Sequence, residues 1–104
     1  MIRIANKHYP IKLNPNEIAI YVGRPSVLGN PFKIGKDGTR EEVILKYKHY
    51  LCDCIRKKNN PVYNELKRLK ELHDKGKDLV LVCWCYPKPC HAEIIKRAIE
   101  GGWV

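Results

Sequence analysis

The chain has 104 residues, enough for one domain with a real core and too few for a second lobe, so residues 1–104 are read as a single domain. Twenty Lys and Arg against eleven Asp and Glu give a formal net charge of +9, which disfavours basic partners and points to a small anionic or nucleotide-like ligand or to nucleic acid. No stretch is apolar enough to span a bilayer or serve as a leader, and five cysteines, an odd number, argue for reduced thiols, so a cytoplasmic protein without a membrane partner is expected.

In chain order, Ile2–Ala5 alternates like a short strand at a sheet edge, and Asn6–Glu17, with Pro10 and Pro15, reads as a connection. Ile18–Val22 is the next β-rich run. It leaves directly into Gly23-Arg24-Pro25-Ser26-Val27-Leu28-Gly29-Asn30-Pro31-Phe32, a loop that continues to Gly38 and is long for a small domain. In that loop Gly23 and Gly29 allow close backbone approach, Arg24 can make a forked contact to phosphate or carboxylate, and Ser26 and Asn30 add hydrogen-bonding capacity. A rigid surface loop stiffened by Pro25 and Pro31 is the ordinary alternative.

Thr39-Arg-Glu-Glu42 has the spacing of a capping box and opens a helix whose inward face carries Val43, Tyr47, Tyr50, Leu51 and Cys54. Asn60-Pro61 caps a second helix, with Val62, Leu66, Leu69 and Leu72 inward and Gly76 as its stop. Leu79–Cys85 is a near-continuous apolar run, the pattern of a strand buried on both faces in a parallel sheet. Pro87 and Pro89 shape a tight loop, and from Cys90 onward Ile94, Ile95, Ala98 and Ile99 share a helical face that ends at Gly101-Gly102. A helical crossover between Ile18–Val22 and Leu79–Cys85 makes those strands parallel. The expected fold is therefore α/β, a small Rossmann-like, mostly parallel sheet covered by helices.

Parallel strands share a carboxyl edge, where ligands bind in open α/β sheets, so the Gly23–Phe32 and Cys85–His91 loops are expected to face one crevice. Cys90 at a helix start beside His91 has the setting of an activated thiol, which makes Cys85, Cys90 and His91 the candidate catalytic group. The spacing C-x-C-x4-C-H also invites zinc, but structural zinc sites favour C-x2-C pairs, and a strand holds Cys83 and Cys85 stiffly; no metal and no cofactor are expected. A third reading needs no chemistry, with Cys90 and His91 only presenting donors to a bound anion. Cys52 and Cys54 read as small hydrophobes, Cys83 as core packing, and His8, His49 and His73 as surface residues.

Val22-Gly-Arg-Pro-Ser-Val-Leu-Gly-Asn-Pro-Phe32, Gly38-Thr-Arg-Glu-Glu42 with Tyr47 and Leu51, and Cys83-Trp-Cys-Tyr-Pro-Lys-Pro-Cys-His91 together resemble the bacterial and phage family catalogued as domain of unknown function 4326. The resemblance runs from about Ile18 to Ile99 and adds Arg40 to the motif residues Gly23, Arg24, Gly29, Asn30, Pro31, Cys83, Cys85, Pro87, Cys90 and His91. The expected function is binding of a nucleotide, nucleoside or modified base, with Gly23, Arg24, Ser26, Gly29, Asn30 and Arg40 on the ligand and a cysteine–histidine pair available for transfer or hydrolysis. The alternative is a basic DNA- or RNA-binding accessory protein in phage–host conflict, without catalysis. Neither the ligand nor the oligomeric state is written in the sequence.

Overall fold

A computed structural model describes residues 1–104. Three parallel strands, β1 (Ile2–Asn6), β2 (Glu17–Tyr21) and β3 (Asp78–Cys83), lie in the order β1-β3-β2. Ile2 pairs with Leu79 and Ile18 with the same residue from the other side, so β3 is central. That position explains its composition: all five residues from Leu79 to Cys83 are buried, as a strand with neighbours on both edges and cover on both faces requires. The run expected to reach Cys85 ends as a strand at Cys83, because the chain turns there and Trp84 is exposed.

Helices α1 (Arg40–Lys57), α2 (Pro61–Asp74) and α3 (Ala92–Glu100) follow the expected order. All three contribute to one core with Leu79, Leu81 and Cys83, through Tyr47, Leu51, Leu66, Leu69, Ile95 and Ile99. On the opposite face Val80 and Val82 sit beside Ala5 of β1 and Tyr21 of β2, and Ile11 packs over them. The sheet is thus covered by helices on one face and by the Lys7–Asn16 connection on the other, a thinner arrangement than a doubly wound sheet, because the link from β1 to β2 contains no helix. None of the helices is long and apolar enough to cross a membrane.

Local rules set the helix ends. Thr39 Oγ1 accepts the Glu42 amide at 3.2 Å, and Glu42 Oε1 accepts the Thr39 amide at 2.9 Å, closing the capping box. Asn60 caps α2 by accepting the Tyr63 amide at 2.8 Å, with Pro61 in the first helical position. Replacing Thr39 by alanine should cost about 1 kcal/mol, the usual worth of such a cap, and should lower the urea midpoint without changing the slope of the transition. An unchanged midpoint would show that the box contributes nothing to the fold.

Candidate functional site

The ladder runs past the formal strand ends at the carboxyl edge, where the Val22 amide donates to Val82 O (3.0 Å) and the Lys7 amide to Cys83 O (2.8 Å). Beyond these bonds the chain opens into the two loops singled out in the sequence. Each contains one cis proline bond, Arg24–Pro25 and Tyr86–Pro87. In the first loop Ser26 N–H donates to Gly23 O and Gly29 N–H to Ser26 O, both at 2.9 Å, giving two consecutive turns. Gly23 is required by its neighbour, since a Cβ there would lie 2.6 Å from the Tyr21 phenol oxygen, which donates to Arg24 O at 2.5 Å and accepts the Trp84 indole N–H at 2.9 Å.

The two loops and the start of α1 enclose a cavity of about 510 Å³, lined by Gly23, Arg24, Asn30, Phe32, Lys33, Ile34, Arg40, Val43, Ile44, Cys83, Trp84, Cys85, Pro89, Cys90 and His91. This depression brings together seven of the nine candidate residues. Ser26 and Gly29 are not among its walls. A Cβ on Gly29 would come within 3.1 Å of the Arg24 backbone and of Ser26 O, so these two residues shape the turn that presents Arg24 rather than facing the cavity.

Hydrogen bonds divide the wall residues into fixed and free groups. Asn30 is buried, donates from Nδ2 to Val43 O (3.2 Å) and accepts the Phe32 amide on Oδ1 (2.9 Å), so it fastens the loop to α1 and has little capacity left for a ligand. Arg40 donates from Nη1 to Pro89 O (3.0 Å), tying α1 to the second loop, while Arg24 makes one long bond to Asn30 O (3.3 Å). Both guanidinium groups retain unused donors. The wall carries three cationic side chains, Arg24, Lys33 and Arg40, and no carboxylate, against at most one thiolate from the Cys83–Cys90 pair.

His91 is the most constrained member. Its Nε2 lies 2.6 Å from Val22 O; a carbonyl can only accept, so Nε2 carries the proton and Nδ1 faces Cys90 Sγ at 3.7 Å. The ring packs edge-on against Tyr47, with centroids 4.9 Å apart, and Tyr47 donates its hydroxyl to Leu28 O at 2.8 Å. Burial holds the imidazole pKa below its ordinary value, against the pull of the Val22 carbonyl. His91 precedes α3 without capping it through its side chain, and it bolts α3 to the end of β2.

Cys83, Cys85 and Cys90 all line the cavity. Cys83 and Cys90 share a hydrogen bond, and the amides of Tyr86 and Cys85 also point at Cys83; together these pull the Cys83 thiol down to about 6 against its burial. Cys90 is pushed up instead, by the proton it shares with Cys83 and then by burial, with the Ala92 amide at 3.3 Å opposing. The two buried sulfurs thus hold one proton between them, and the easily lost proton belongs to the Cys83–Cys90 pair. The cysteines and His91 do not converge as three or more metal ligands.

The chain matches the family model described as domain of unknown function DUF4326 over residues 5–101. It belongs to that family. The match extends the resemblance back from Ile18 to Ala5, so the end of β1, Lys7 and His8 lie within it. No curated protein and no solved structure matches the chain.

Eight wall residues lie outside the candidate set, among them Cys83, Trp84, Phe32 and Lys33. Cys83 and Trp84 were assigned to a strand, and Phe32 and Lys33 to the course of a loop. The signal for Trp84 was available: it follows Cys83 at the point where a buried strand must emerge, and an aromatic residue there faces the edge of the sheet.

Proposed function

We propose that this protein binds a nucleotide, nucleoside or modified base in the crevice between the Gly23–Phe32 and Cys85–His91 loops. The observation that carries the reading is the charge of the wall: three cations and no carboxylate around a cavity of about 510 Å³ at the carboxyl edge of a parallel sheet. Such a site selects an anion, and the free donors of Arg24 and Arg40 match the geometry of phosphate oxygens. Phe32 and Trp84 on the same wall supply flat apolar surface for a base. The floor carries Cys83, the thiol best placed to act as a nucleophile in transfer or hydrolysis at a base or glycosidic centre, with His91 two steps away, behind Cys90.

Calorimetric titration with the common nucleoside monophosphates and their nucleosides tests the reading. Arg24→Ala and Arg40→Ala are each expected to weaken monophosphate binding by about 10-fold or more, the worth of a charge-assisted hydrogen bond, and to affect the uncharged nucleoside much less. Their combined effect should be non-additive, as for two groups on one ligand. Binding that is unchanged in both variants would overturn the crevice as the site.

A further inference from the structure

Beside the cavity lies a second groove whose walls include Tyr9, Pro10, Ile11, Tyr86 and Pro87, and the segment Trp84–Tyr86 separates the two. Trp84 faces the first and Tyr86 the second. Both are nearly half exposed, and Tyr9 is 68% exposed. Exposed aromatic residues scattered singly are ordinary, but these are held in place. Asn6 Nδ2 donates to Tyr86 O at 2.7 Å and to Trp84 O at 3.3 Å, and Asn6 Oδ1 accepts the His8 amide at 2.8 Å, so one side chain clips the end of β1 to the shelf. The Trp84 indole is further fixed by Tyr21, and the His8 ring packs against it edge-on at 4.7 Å. Lys7 Nζ stands 4.3 Å from the Tyr21 ring centroid and 5.7 Å from that of Trp84, which keeps a cation at the rim.

Resting on the nucleotide reading of the cavity, we infer that its ligand is one nucleotide of a single-stranded nucleic acid, whose neighbouring nucleotide crosses Trp84 and lies on the Lys7–His8–Tyr86 shelf. A free mononucleotide has no use for a fixed aromatic surface outside the pocket. A strand does, because successive bases stack on aromatic faces while cations follow the backbone, and that combination needs no sequence code. Lys7, over Trp84, continues the line of cations that begins with Arg24, Lys33 and Arg40, whereas the acidic residues of the second groove, Glu93 and Glu100, are carried by α3. Net charge of +9 agrees with a polyanion, and the clip by Asn6 means that the shelf is built before the strand arrives.

The test compares a labelled single strand of random sequence, as DNA and as RNA, with the common nucleoside monophosphates, by fluorescence anisotropy for the strands and calorimetry for the monophosphates. The strand should bind at least about 10-fold more tightly than any monophosphate, with a log–log salt slope near −2 for about three neutralised phosphates. The double variant Lys7→Ala/Tyr86→Ala should remove that advantage and flatten the slope while leaving monophosphate binding in place, since neither residue lines the cavity. Preference for RNA or for DNA decides which strand is the partner. A strand that binds no better than a monophosphate overturns the inference and leaves the cavity reading standing, and so does an advantage that survives the double variant. Failure of both probes to bind overturns the two together.

Discussion

Replacing His91 by alanine should destabilise the protein by about 3 kcal/mol, the combined cost of emptying a packed site and leaving a buried carbonyl unpaired. The imidazole is buried against Tyr47, and its Nε2–H is the partner of Val22 O across 69 residues of chain. Glutamine in its place can offer an amide N–H toward the same carbonyl, so His91→Gln should recover part of the loss, whereas a residue serving only as a proton shuttle would show no such recovery. The pH course gives a second check. Because burial lowers the folded-state pKa of His91, the unfolded chain takes up its proton first as pH falls, and the stabilising term, fully present above the ordinary value of 6.5, is lost below it. Urea midpoints that fall less steeply below that pH in His91→Gln than in the wild type would agree. A His91→Ala protein of undiminished stability would return His91 to the role of a chemical group free to move.

What the sequence made readable was periodic or local. The burial of β3 on both faces followed from an unbroken apolar run, the capping box of α1 from four adjacent residues, and the meeting of the two loops from a crossover rule that depends only on element order. What it hid was direction. Asn30 and His91 read as ligand groups because polar residues in glycine- and proline-shaped loops commonly are, yet each turns one side-chain nitrogen to a backbone carbonyl of another element. No spacing rule predicts a bond between Val22 and His91. The missing helix between β1 and β2 was legible as Pro10 and Pro15, but its consequence, a sheet face left to a loop with Trp84 and Lys7 at its rim, was not, because nothing local says which face a connection crosses. The coupling of the thiols is hidden for a related reason: the sequence shows Cys90 at its helix start, while its proton also depends on Cys83 on a different element.

That pair gives the other large expectation, a stability that rises with pH from about 6 to 9 and falls beyond. In the folded protein Cys83 gives up its proton near pH 6, while in the unfolded chain it behaves as an ordinary thiol near 9. Between those values the unfolded state binds one more proton than the folded state, so stability must increase with pH, by up to about 1.4 kcal/mol per pH unit for one full proton. Below 6 both states are protonated and the term vanishes. Above 9 the sign reverses, since the unfolded chain then releases both thiol protons and the folded protein keeps the one on Cys90. Urea denaturation across this range under reducing conditions should trace the rise and the fall, and Cys83→Ser should flatten the rise. Ultraviolet thiolate absorbance of the native protein reads the same event without unfolding it: one step near pH 6, absent in Cys83→Ser and moved up toward the ordinary thiol range in Cys90→Ala, where the donor is gone while the amides of Tyr86 and Cys85 remain. If the absorbance of the wild type shows no step below the ordinary range, Cys83 is an inert core thiol, and the cavity floor offers no nucleophile at neutral pH. Binding through Arg24 and Arg40 would stand untouched by that result, because neither guanidinium depends on the sulfur.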